Sequence, residues 1–193
     1  MSALAVDAAA LASVAELAPA IRAAIASHFV RRARSELRVG IAFAAMAERL
    51  AARRAPEVVI DALARSADEE PRHASMCVQL ATIYGGAPVA LPSDLEAPLP
   101  SFGEDDPELE DALLVAGMCC VNETIATAWI GAGLEVATAP LAVAALRAHL
   151  ADEIGHAQVG WAYLASDHVS DATRRALADR LHAADKALSA LDR

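Results

Sequence analysis

An all-α fold, specifically an antiparallel four-helix bundle with a long crossover and an extra C-terminal helix, follows from three observations. Hydrophobic residues make up 56% of the 193 residues, mostly Ala and Leu, while aromatics reach only 4%. Ala and Leu are strong helix formers, small side chains let helices approach closely, and few β-branched runs alternate with the period of a strand. A single stretch rich in Pro and Gly, residues 85–106, divides the chain into two helical halves. Each half repeats one pattern, a glutamate followed at a distance by Glu-x-x-His.

The elements can be read in order. A short leading helix spans about Val6 to Leu17 and ends near Pro19. The first long helix runs from about Ala20 to Arg53. Pro56 suits the first position of the second, which extends to Tyr84 and stops at Gly85-Gly86. The turn between them is so short that they must be antiparallel neighbours. The stretch 85–106 is too long for an ordinary connection and serves as the crossover between helices two and three. The third helix opens at Asp106-Pro107 and weakens around Gly131 to Gly133. Thr138 and Pro140 open the fourth, which ends near Asp167, and Ser170-Asp171 caps a last amphipathic helix. Its stripe of Leu177, Leu181, Ala184 and Leu188 packs on the bundle or forms a homodimer interface. The whole chain, 1–193, reads as one domain. Pro71 lies inside the second helix, where proline costs about 3 kcal/mol. The chain there must kink, hold a π-bulge, or start a helix.

The repeated pattern carries the chemistry. Glu70-Pro-Arg-His73 and Glu153-Ile-Gly-His156 are preceded by Glu36 and Glu123, 34 and 30 residues ahead. On a helix, i and i+3 share a face, so each motif offers a carboxylate and an imidazole to one point. Chance predicts about 0.4 Glu-x-x-His pairs in a chain of this composition, and two with matching upstream glutamates exceed that clearly. Four helices presenting Glu, Glu-x-x-His, Glu and Glu-x-x-His build a dinuclear carboxylate site. Such ligands suit two iron ions, or manganese, whereas structural zinc favours Cys and His. His149 lies on the same arc of its helix as Glu153 and His156, as a third nitrogen ligand or a buried neighbour. Glu69 and Asp152 precede the motif glutamates and are candidates to accept a hydrogen bond from the outer ring nitrogens, across the bundle. Gly40, Cys77, Cys119, Thr127 and Gly160 lie one turn from the ligands and either leave room for a substrate or pack helices tightly.

These residues resemble the ferritin-like di-iron carboxylate superfamily, which includes bacterioferritins, rubrerythrins, ribonucleotide reductase radical subunits and acyl-carrier desaturases. Its Glu-Asp-Glu-x-x-His form is visible in Asp152-Glu153-Ile-Gly-His156, and in Glu69-Glu70-Pro-Arg-His73 with Glu in place of Asp. The added His149 is similar to the seven-ligand pattern of arylamine N-oxygenases, which implies Glu36, Glu70, His73, Glu123, His149, Glu153 and His156 as ligands. The resemblance implies an oxidase or oxygenase that uses O2, a small organic substrate and an electron donor. Ferroxidase or peroxide handling is the alternative, and a metal-stabilised bundle without activity is the third. No Cys-x-x-Cys pair accompanies the pattern, so a rubredoxin-type centre is excluded.

Charge and cysteine usage bound the setting. The net charge of −10 argues against nucleic acid as a partner. No stretch of about 20 apolar residues is free of charge, so no membrane span is expected. The first seven residues lack a basic leader region, and three odd cysteines read as reduced and buried, as in a cytoplasmic protein.

Overall fold

The computed structural model describes Leu4, residues 6–91 and residues 95–191, with side chains up to residue 182. All regular structure among them is helical: α1 (Ala8–Ala15), α2 (Pro19–Ala52), α3 (Glu57–Gly85), α4 (Pro107–Val115), a π-helical stretch (Ala116–Asn122), α5 (Glu123–Val136), α6 (Pro140–Ala165) and α7 (Asp171–Leu191). From Pro107 to Val136 the chain is one rod of 30 residues.

Local chemistry sets most boundaries. The Asp7 carboxylate accepts the Ala10 N–H and starts α1. Arg54, left-handed at φ 59°, ends α2 with Ala55 N–H bonded back to Leu50 O. Pro56 sits just outside α3 as its cap, one residue earlier than a first-position proline. Gly86, at φ 72°, closes α3. Ser170 Oγ accepts the Thr173 N–H at the head of α7.

Close approaches give the sense of the helices. A Cβ on Gly85 would meet Ala26 Cβ at 3.3 Å, so α2 and α3 are antiparallel. Glu69 meets His156 and His73 meets Asp152, which makes α3 and α6 antiparallel. Gly160 abuts Cys120, and Gly133 abuts Leu146, so the long rod runs against α6. Glu36 lies by His149 and Phe43 by His156, which makes α2 and α6 parallel. The connection after Gly86 lies along α2 and α3: Leu91 packs by Ala33 and Cys77, Leu95 by Gly40 and Pro71, and Leu99 on the core around Phe43 and Leu50.

Two apolar cores occupy the ends of this all-α bundle. One gathers Phe43, Met46, Leu50, Leu63, Leu114 and Tyr163, and the other gathers Val14, Leu80, Tyr84, Leu141 and Ala145. The middle is polar. Leu177 of α7 packs on Leu109 and Leu113 of α4, whereas Leu181 is exposed. The side chains of Ala184 and Leu188 lie outside the described residues.

Two sequence expectations need revision. Pro71 neither starts a helix nor holds a π-turn, because α3 is α-helical from Glu57 through it. The carbonyl that Pro71 cannot bond, Ala67 O, lies 3.3 Å from where a Gly40 Cβ would be. The π-turn occurs instead directly before Glu123. Nor does α5 weaken at Gly131 to Gly133, since it continues to Val136. Pro107–Val136 is long and apolar enough to cross a membrane by length and composition alone, but Glu108, Glu110, Asp111, Glu123 and Glu135 interrupt it, and no run of about 20 residues in it is free of charge. In this fold the rod is a wall of the bundle, and Glu123 is buried from it.

Candidate metal centre

The polar middle consists of the seven residues singled out by the sequence, all buried. Their ligand atoms fall into two groups, each within 4.8 Å: Glu36, His73, His149 and Glu153, and Glu70, Glu123, Glu153 and His156. Glu153 belongs to both.

The i, i+3 spacing does what helical geometry requires. His73 Nδ1 lies 3.3 Å from Glu70 Oε2 and 3.8 Å from Glu153 Oε1. His156 Nδ1 lies 3.2 Å from Glu70 Oε1 and 3.5 Å from Glu153 Oε2. Each of these two glutamates therefore turns one oxygen toward each histidine, the disposition a bridging carboxylate needs. The outer ring nitrogens bond across the bundle. His73 Nε2–H donates to Asp152 at 3.1 Å, and His156 Nε2–H donates to Glu69 at 3.0 Å. Arg72 Nη2 ties these acceptors together, 3.2 Å from Glu69 and 3.3 Å from Asp152. With both outer nitrogens as donors, both inner ones face the cluster.

Glu36 is held by Arg32, one helical turn earlier, at 2.5 Å, and stands 3.6 Å from His149 Nε2. The His149 ring lies 4.2 Å from that of His73. Thr127 Oγ1 donates to the Glu153 carbonyl and joins α5 to α6 at the cluster.

Electrostatics show what the site lacks. Burial, then hydrogen bonding to Glu153, pushes the Glu123 carboxyl up to about 9. Burial, partly offset by Arg32, pushes Glu36 up to about 7. Burial acts against the Glu70 charge too, but bonds from His156 and His73 outweigh it and hold that carboxyl at about 2. For His156, burial is outweighed by bonds from Glu153 and Glu70, and its pKa rises to about 11. Burial and the neighbouring His73 lower His149 to about 4. The cluster thus keeps its carboxylates only by holding protons. His149 Nε2 has no hydrogen-bond partner, Glu36 Oε1 meets only the Arg32 ion pair, and Glu153 Oε2 and His156 Nδ1 face each other at 3.5 Å without a well-directed bond. Buried polar atoms matched this poorly are costly, and cations at the shared focus would satisfy them. The residues fit metal ions in two adjacent positions, with nitrogen and oxygen donors only.

The cysteines stand aside. All three are buried and unpaired, and burial raises Cys77 to about 12 and Cys120 to about 11, so neither is a thiolate. The small residues near the ligands divide. Gly40 and Gly160 are packing positions: a Cβ on Gly160 would meet Cys120 Sγ at 2.6 Å, and one on Gly40 would meet Glu70 Cβ at 3.0 Å. Cys77 lines a cavity. An open cavity of ≈ 390 Å³ between α2 and α5 reaches the carboxylates Glu36, Glu70, Glu123 and Glu153 past Val39, Ile125 and Trp129. Sequence reasoning missed Arg32, Arg72 and Trp129. Arg32 had a signal, its i, i+4 spacing from Glu36 on one helix face. No protein-family model, curated protein or solved structure matches this chain.

Proposed function

We propose that this chain is a ferritin-like di-iron carboxylate protein, an oxidase or oxygenase that uses O2 to oxidise a small organic substrate. The observation that carries the reading is the pair of ligand groups sharing Glu153, with Glu70 also facing both histidines. Two carboxylates that each turn one oxygen toward each of two imidazoles suit a dinuclear site, in which each oxygen could serve a different cation. The helix senses support the ferritin-like arrangement. With α2 parallel to α6 and α3 antiparallel to it, the long connection is the crossover that lets the two hairpins face each other.

Iron, when bound, supplies the electrons that reduce O2, and manganese ligands overlap with it. The chain's own residues have separate tasks. Glu153 and Glu70 would hold two cations close together, and Glu36 with His73 and Glu123 with His156 would complete one position each. His149 offers a further nitrogen to the position of Glu36, its low basicity leaving the lone pair free. Glu69 and Asp152 fix the two outer ring nitrogens and so the orientation of both imidazoles. The apolar cores above and below exclude water from two sides, and the cavity at Val39, Ile125 and Trp129 admits a substrate. Arg32, Ser35 and Asn122 share that wall with Val39, Ile125, Ala126 and Trp129, and its apolar part favours an organic substrate over iron storage.

The test is to mix anaerobically Fe(II)-loaded protein with O2 and follow absorbance and iron content. This reading predicts uptake limited to two irons per chain and a transient visible band whose decay is accelerated by a small organic compound. Continued iron uptake beyond two, with no effect of any added compound, would instead assign iron handling.

A further inference from the structure

A second cavity of ≈ 170 Å³ lies beside the first, between α2, α3, α5 and α6, walled by Phe29, Leu80, Tyr84, Ile130 and Leu146. His149 lines it as well, so one end adjoins the proposed metal centre. Arg32 and Trp129 line both cavities and stand at their junction. An apolar cavity of about 150 Å³ stays dry and takes up benzene. This one has room for a single ring or a short alkyl chain.

The junction carries a charge with no use once metals are bound. Arg32 is paired with Glu36. Four ligand glutamates would be matched in charge by two divalent cations, whose hold on Glu36 would leave the Arg32 guanidinium without a full counter-charge. Among the described residues no carboxylate lines the apolar cavity. His28, which does line it, adds no second cation, since burial and then Arg32 lower its basicity. A partly buried cation beside an apolar pocket selects an anion with an apolar tail.

We infer that the substrate site takes a small monocarboxylate, its head on Arg32 and its apolar tail in the cavity walled by Phe29, Tyr84 and Ile130. This rests on the metal-centre reading, because an unloaded centre leaves Arg32 paired with Glu36. An amine head would face Arg32 without a free carboxylate, and an alcohol would leave the charge unmatched.

Trp129 provides the readout, with Trp161→Phe removing the only other tryptophan. Protein loaded with Zn(II), a redox-silent cation, is titrated with hexanoate, hexanol and hexylamine while metal content is measured in the same samples. Hexanoate is expected to bind at least tenfold more tightly than hexanol, with hexylamine weakest. Arg32→Gln should bring hexanoate to the level of hexanol. Ala145→Phe, which fills the apolar end without touching Arg32 or Glu36, should abolish binding of both and leave metal content unchanged. Equal binding of hexanoate and hexanol at full metal content, or tail binding that survives Ala145→Phe, would overturn the inference alone. Metal content below two per chain in the parent protein would overturn the metal-centre reading instead.

Discussion

Protons stand in for metals in the unloaded cluster, and this gives pH an unusual sign. Glu36 and Glu123 have folded pKa values of about 7 and about 9 against an ordinary 4.5. Folding stability from holding those protons is present below the ordinary value and is lost as pH rises through the folded ones. His156, raised to about 11, acts in the same direction from 6.5 upward. Glu70 acts oppositely as pH falls from 4.5 toward about 2, and His149, lowered to about 4, acts oppositely between about 4 and 6.5. Between about pH 6.5 and 9 the metal-free protein should therefore melt at progressively lower temperature. Metal affinity should rise over the same range, because binding displaces protons, so melting curves with and without metal should diverge. A flat or rising metal-free curve would contradict the pKa shifts. Replacing the acceptors of the outer ring nitrogens, by Glu69→Gln or Asp152→Asn, should weaken metal binding by about 10–100-fold, measurable by competition with a chelator. At this scale the sequence was most legible where helical periodicity alone decides direction. Glu70, His73, Glu153 and His156 share faces by spacing, and their upstream glutamates follow from the repeat. Arg72 was hidden because its role depends on α3 and α6 lying side by side, which no local pattern encodes.

Helix starts were legible because Pro107, Pro140 and Ser170 act through their own backbone or the next turn. The π stretch Ala116–Asn122 was not, because its composition is that of any helix. Its cause is tertiary: an extra residue per turn shifts the phase of the rod, and the residue that follows it is Glu123, turned into the cluster. Gly160 is the counterpart on α6. Its missing Cβ leaves room for Cys120 backbone nitrogen, which a Cβ would meet at 2.9 Å. Because a backbone atom cannot swing away, Gly160→Ala should cost about 2 kcal/mol, a drop of about 4–8 °C in Tm. An unchanged Tm would show that α6 and the π stretch are not locked at this point. Pro71 gives the reverse case. Removing it restores a backbone bond and relieves the ring's clash with the Ala67 carbonyl, together about 3 kcal/mol in a helix interior, less about 1 kcal/mol of lost restriction on the unfolded chain. Pro71→Ala should therefore stabilise the metal-free protein by about 2 kcal/mol, read by denaturant unfolding. Destabilisation would mean that the freed Ala67 carbonyl beside Gly40 is a required contact.

The whole molecule is two apolar cores holding a charged layer between them. Phe43 and Met46 lie on one side, Leu80 and Ala145 on the other. Such a layer weakens the bundle when empty and cross-links its helices when filled, since every ligand group draws on at least three elements. Metal at about 100 times its dissociation constant should add about 2.7 kcal/mol per site, and the Tm of loaded protein should rise with free metal. The division of the chain into two hairpins was legible from its one Pro-rich break. The path of that break along α2 and α3 was not, because its leucines, Leu91, Leu95 and Leu99, are too sparse to form a periodic signal. The central claim is two metal positions sharing Glu153, with Glu123 serving only one of them. Anaerobic Fe(II) titration with metal quantification, on the parent protein and on Glu123→Ala, tests it most directly. Two irons per chain falling to one in the variant is the predicted result. One iron or none in the parent, or an unchanged count in the variant, would contradict it.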